Sequence, residues 1–103
     1  MPSVQQLEAL LQDNPEDTFL QYALAMELGN CGQHDRSLEI FRRLMEQEPP
    51  YVPAYFMAGQ QLARLGRIEE SRQTLTLGID QAAAQNDQHA AGEMSDFLAS
   101  LHD

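Results

Sequence analysis

The sequence contains no lysine and no tryptophan, a single cysteine, and no apolar run near the roughly 20 residues that span a membrane. Without lysine, six arginines face sixteen Asp and Glu residues, and the formal net charge is −10. A chain this short of cations has no basic face with which to displace counterions, so DNA, RNA and anionic membranes are not expected as partners. One cysteine, Cys31, excludes an internal disulfide. The opening Met1-Pro2-Ser3-Val4-Gln5-Gln6 lacks the basic residues and apolar stretch of an export signal, so a cytoplasmic location is expected. The 103 residues suit one compact domain or a short repeat array and leave no room for a separate catalytic domain. What is present in quantity is apolar surface: at 43% hydrophobic residues the chain is too rich to stay disordered, and a core is expected.

An internal period organises that apolar content. Sliding the chain 34 residues along itself places Pro15 on Pro49, Leu28 on Leu62, Gly32 on Gly66 and Ser37 on Ser71. Tyr22 with Phe56, Ala25 with Gly59, Asp35 with Glu69, Phe41 with Leu75 and Met45 with Ile79 are conservative matches in the same register. Leu7, Leu10 and Leu11 fall in turn on Phe41, Leu44 and Met45. Self-similarity at a fixed period of 20 to 50 residues indicates stacked repeats rather than a single closed fold.

Each period reads as two helices. Leu20, Leu24 and Leu28 lie four apart, and Leu38, Phe41, Leu44 and Met45 follow a 3.6-residue spacing. Gly32 and Gly66 fall between the paired helices, where positive φ lets the chain reverse. Asn14 and Pro15 are expected to cap and open one helix, and Ser3 with Gln6 to form a capping box on another. Pro49, Pro50 and Pro53 end one helix and start the next. No stretch alternates as a strand does. The spacing predicts six helices near residues 3–12, 16–30, 34–48, 52–65, 68–84 and 88–101, an all-α fold.

This pattern resembles the tetratricopeptide repeat family, whose signature combines a large residue, a Leu-Gly-like pair and a Tyr-like position with a later small residue, a Phe-like position and a closing Pro. The second repeat carries it as Tyr55, Ala58-Gly59, Leu62, Ser71 and Leu75; the first as Gln21, Leu24-Ala25, Leu28, Ser37, Phe41 and Pro49. Gln21 replaces the usual aromatic, and Ala83 stands where the second repeat should close with Pro. Small Ala25, Gly59, Ser37 and Ser71 let paired helices approach closely. The resemblance covers about residues 4–101 and implies a tetratricopeptide-like α-solenoid of antiparallel helix pairs.

The ends fit the same register. Residues 3–12 match the second helix of a repeat, and a 36-residue shift places Met94, Ser95, Leu98 and Leu101 on Ala58, Gly59, Leu62 and Leu65. The expected organisation is a single domain over 1–103: an N-terminal capping helix at 3–12, repeats at 16–50 and 51–85, and a C-terminal capping segment at 86–103.

In this family the first helix of each repeat lines a concave groove that commonly holds a peptide or a partner helix. Leu24, Leu28, Ala58 and Leu62 are committed to the core, so helical spacing leaves Phe19, Tyr22 and Met26 on the remaining face of the first repeat, and Pro53, Phe56, Gln60 and Arg64 in the second. Aromatics, Met and Arg are the residues of interface hot spots, which makes Phe19, Tyr22, Met26, Phe56, Gln60 and Arg64 the expected partner-binding set. The resemblance thus implies a non-enzymatic protein-interaction module. Packing of Phe19 and Met26 against neighbouring helices, or self-association of two copies through the same apolar face, are the alternatives. Arrays of this family that hold carboxylate tails do so with Lys and Asn; here Tyr22, Met26 and Met57 occupy those places, so no such clamp is expected.

Catalytic signals are weak. His34, His89 and His102 are far apart and none adjoins a Ser or Cys in a nucleophile motif. Cys31, His34 and Asp35 put three ligand types on one turn without the second pair of a zinc site, and His89 with Glu93 is a lone pair one turn apart. Neither is expected to hold a metal, and no cofactor is expected. The acidic third from Gln73 to Asp103, five acids and no Arg, reads as a solubilising surface, with a binding surface for a basic partner as the alternative.

Overall fold

The computed structural model describes residues 2–102. Met1 and Asp103, which fall within the expected spans 1–103 and 86–103, lie outside the described residues. Six helices follow one another: α1 (Val4–Asp13), α2 (Thr18–Asn30), α3 (His34–Glu46), α4 (Val52–Arg64), α5 (Ile68–Ala84) and α6 (Gln88–Ser100). There is no strand among the described residues. Every helix end lies within two residues of its expected place.

The chain divides into two compact units, Met1–Pro49 and Pro50–Asp103. In the first, α1 packs on α2 and α2 on α3; in the second, α4 packs on α5, α5 on α6, and α4 also touches α6.

Local chemistry accounts for the helix ends. The Ser3–Gln6 box forms as expected: Gln6 N donates to Ser3 Oγ at 3.2 Å, and Ser3 N donates to Gln6 Oε1 at 2.8 Å. Three helices then end in the same way. Gly32 and Gly66 take φ of 82° and 79°, and Asn86 takes 62°. The next N–H in each case returns to a carbonyl five residues back, from Gln33 to Leu28 (2.9 Å), Arg67 to Leu62 (2.9 Å) and Asp87 to Ala82 (2.8 Å). These are Schellman endings, in which a left-handed residue satisfies the last carbonyls of one helix while the chain turns into the next. Asn86 takes the place that Gly holds in the other two, since its short polar side chain tolerates the left-handed region.

One expectation at a helix start is corrected. Asn14 closes α1 instead of opening α2: its backbone N–H and its Nδ2 both reach Leu10 O at 3.2 Å. Pro15 lies in the connecting turn, and Asp17 is the N-cap, its Oδ1 accepting from Leu20 N at 2.9 Å. Gln21, the departure from the aromatic pattern, sends its Nε2 back to Pro15 O at 2.7 Å and so ties down that turn. Its counterpart Tyr55 is buried.

In the first unit Leu7, Leu24 and Leu28 form one buried cluster, with Val4, Leu11, Leu20, Ala23 and Ile40 packed around them, and Ala25, Phe41 and Leu44 are buried as well. Truncating one such leucine to Ala costs about 2 to 5 kcal/mol. In the second, Val52, Ala54, Tyr55, Ala58, Leu62, Leu75, Ala82 and Met94 are buried. The closest helix approaches there run over glycine. A Cβ on Gly59 would lie 2.7 Å from Leu75, and one on Gly78 would lie 2.5 Å from Tyr55 Cβ and 2.6 Å from Met94 Sδ.

Candidate functional site

On α2, Phe19, Tyr22 and Met26 stand at i, i+3 and i+7, which a 3.6-residue turn places on one face. Their exposure is graded. Phe19 is 65% exposed, while Tyr22 and Met26 are half-buried. Tyr22 is the middle ring of three: its centroid lies 6.4 Å from that of Phe19 in a tilted arrangement and 6.1 Å from that of Phe41 edge to face. Such pairs fall within the range where ring quadrupoles attract, and they fix the direction in which Tyr22 points. Phe41, on α3, is fully buried and anchors the series in the core.

The face of α4 carries Phe56, Gln60 and Arg64 at i, i+4 and i+8. Phe56 is half-buried and meets the ring of Phe97 on α6 at 6.0 Å, edge to face. Gln60 is half-buried and Arg64 exposed. The repeat register together with helical spacing singles out these six residues, but it does not reveal Phe41 and Phe97 as the ring partners of Tyr22 and Phe56. Phe41 reads as core from its own helix, and Phe97 stands with Met94, Leu98 and Leu101 at helical spacing; both contacts join different helices, which spacing within one helix does not specify.

Electrostatics distinguish Arg64 from the other arginines. Arg36 pairs with Glu8 at 2.5 Å, joining α3 to α1. Arg42 and Arg43 share Glu39 at 2.8 and 3.8 Å. Arg67 binds both oxygens of Glu70 at 2.8 and 2.7 Å at the start of α5, and Arg72 faces Glu69 at 3.6 Å. Arg64 makes no ion pair among the described residues. These exposed pairs are each worth about 0 to 1 kcal/mol, so they order side chains more than they stabilise the fold.

Among the described residues no group of three or more His, Cys, Asp and Glu side chains could hold a metal ion. Cys31 is exposed with its Sγ 4.0 Å from Glu27 Oε1, and His89 lies 3.4 Å from Glu93 on the surface of α6. No helix among the described residues is long and apolar enough to cross a membrane.

The sequence is 28% identical over 98 residues to the TPR repeat-containing protein PA0015 of Pseudomonas aeruginosa, covering 95% of this chain and 93% of that one. It is 32% identical over 69 residues to an uncharacterized protein, MJ0572, of Methanocaldococcus jannaschii, covering 67% of this chain and 80% of that one. Among solved structures it resembles a tetratricopeptide repeat domain protein from Salinibacter ruber, with a TM-score of 0.77, 32% identity, and coverage of 86% of this chain and 96% of that one. Protein BPP2914 from Bordetella parapertussis superposes with a TM-score of 0.80 at 25% identity, over 96% of this chain and 86% of that one. No family model matches the chain.

Proposed function

The chain belongs to the tetratricopeptide repeat family, and from that premise we propose that it is a non-enzymatic interaction module that holds a peptide or helix of another protein. The residues proposed to make the contact are Phe19, Tyr22 and Met26 on α2 and Phe56, Gln60 and Arg64 on α4. The observation that carries the reading is Phe19: a ring 65% exposed at the open end of a series whose other end is buried. Burial of such a ring in a partner removes apolar surface from water. Gln60 and Arg64 supply direction, since one can donate and accept and the other carries an uncommitted charge.

Affinity capture from the source organism tests this, comparing wild type with the Tyr22→Ala/Phe56→Ala double variant. The expected result is a partner recovered by the wild type and lost by the variant while circular dichroism shows unchanged helicity. Equal recovery by both would remove these faces as the contact surface. Self-association through the same apolar face is the rival reading, which the exposure of Phe19 also suits. Light scattering over a concentration series separates the two: a mass that stays monomeric supports the first, and one that doubles supports the second.

A further inference from the structure

The charges around the α2 strip select among the partners that it could take. Unit 1 carries nine carboxylates against three arginines between residues 1 and 49, a formal charge of −6. All three arginines are already engaged: Arg36 with Glu8, and Arg42 and Arg43 with Glu39. Glu16 and Asp17 precede the strip of Phe19, Tyr22 and Met26, and Glu27 follows it. Asp17 accepts the N–H of Leu20, which leaves its charge in place, and among the described residues Glu27 faces the Cys31 thiol and no cation. Among the described residues no arginine of unit 1 is left to neutralise these carboxylates.

From this we infer that the α2 face takes a basic amphipathic segment of another protein, with apolar anchors on the Phe19–Tyr22–Met26 strip and Lys or Arg at its two ends. The inference rests on the reading of this face as a contact surface and adds the sign of the partner's charge. From Phe19 to Met26 the helix rises about 10 Å, two turns, which accommodates two anchors of a bound helix at i and i+3 or i+4. At physiological salt the Debye length is about 8 Å, so a segment lying on the strip feels the acids at both ends. An acidic segment is repelled there. A second copy of this chain, itself at −10, is disfavoured for the same reason. Ion pairs at the ends of the strip contribute modestly to affinity but raise the association rate and exclude partners of the wrong sign.

The test uses the full chain and two labelled helical peptides, read by fluorescence anisotropy. Both carry the same Leu and Phe anchors; one has Lys and Arg flanks, the other Glu flanks. The basic peptide is expected to bind at least about ten-fold more tightly than the acidic one, and to weaken about ten-fold between about 50 mM and about 500 mM salt. Glu16→Gln/Glu27→Gln should weaken the basic peptide about three- to ten-fold and flatten its salt dependence. Phe19→Ala should abolish binding of both. Equal binding of the acidic peptide, or salt-independent binding of the basic one, overturns the inference and leaves the face as a contact surface. Binding of neither overturns both. Dimers of the chain alone that Phe19→Ala dissociates would assign the strip to a second copy and overturn the basic partner.

Discussion

The Ser71 hydroxyl donates a 2.7 Å hydrogen bond to the backbone carbonyl of Gly59, across the α4–α5 pair and fully out of solvent. Thirty-four residues earlier, Ser37 does the same to Ala25 O at 2.5 Å across α2 and α3. A small residue on one helix thus opens space for the other, and the serine hydroxyl fills the remaining polar need. The residues read from spacing as merely small also join the hairpins chemically. Replacing either serine by Ala is expected to cost about 1 kcal/mol, the net value of one intramolecular hydrogen bond, measured by urea denaturation.

The glycines of the second unit should respond to a methyl group in a fixed order. Gly92 has nothing within 4 Å of an added Cβ, so Gly92→Ala gains helix propensity and stabilises by up to about 1 kcal/mol. Gly59→Ala gains the same propensity but drives a Cβ to 2.7 Å from Leu75, and overpacking of about 1 to 3 kcal/mol outweighs it. Gly78→Ala should be the worst, because the atom it meets at 2.5 Å is Tyr55 Cβ, which no rotamer change can move away. Midpoints of thermal unfolding would rank the three; a Gly78→Ala protein as stable as wild type would refute the close approach of α4 and α5.

The turns make a separate prediction, since their constraint is backbone conformation and not space. Neither Gly32 nor Gly66 has an atom within 4 Å of an added Cβ, yet φ is 82° and 79°. Ala at either should cost about 1 to 2 kcal/mol through left-handed strain alone. At Asn86, where the strain is already carried, replacement by Gly should be neutral or mildly stabilising.

How far the sequence could be read follows from these residues. Helix ends were legible where one residue type has one use: Gly at positive φ, Pro where a helix cannot continue, Ser3 with Gln6. Asn14-Pro15 misled because Asn closes helices as well as opening them, and a second acceptor, Asp17, lay three residues on. Asn86 gives no such sign in the sequence, because a left-handed φ is rare for a residue with a Cβ. For the candidate site, helical spacing separated Phe19, Tyr22 and Met26 from the core positions Leu24 and Leu28. It did not reveal that Tyr22 leans on Phe41 or Phe56 on Phe97, because a contact between helices depends on their packing and not on their own periodicity.

Stability should also fall at high pH. Burial raises the pKa of Tyr55 above its ordinary value of 10.0, because the low-dielectric surroundings disfavour the phenolate. Below pH 10 the phenol is protonated in both the folded and unfolded states and the effect is absent. As pH rises past 10 the unfolded chain ionises first, so the folded state loses stability progressively until its own, higher pKa is reached. Urea midpoints should drop across this range, and the drop should be smaller in Tyr55→Phe, whatever that variant's stability at neutral pH.

Contact surface and core should separate cleanly in mutational cost. Phe19 is 65% exposed, so Phe19→Ala removes little buried area and should change stability by less than about 0.5 kcal/mol. Phe41, two ring contacts away and 1% exposed, should lose about 3 to 5 kcal/mol on truncation to Ala. Tyr22 lies between the two in exposure and in the ring series, and its truncation should fall between them. Denaturant titration of the three variants checks the order. A Phe19→Ala protein as damaged as Phe41→Ala would mean that the ring supports the fold, and its exposure would no longer argue for a partner. If the order holds, loss of binding in Phe19→Ala can be assigned to the surface itself, because the fold beneath it is unchanged.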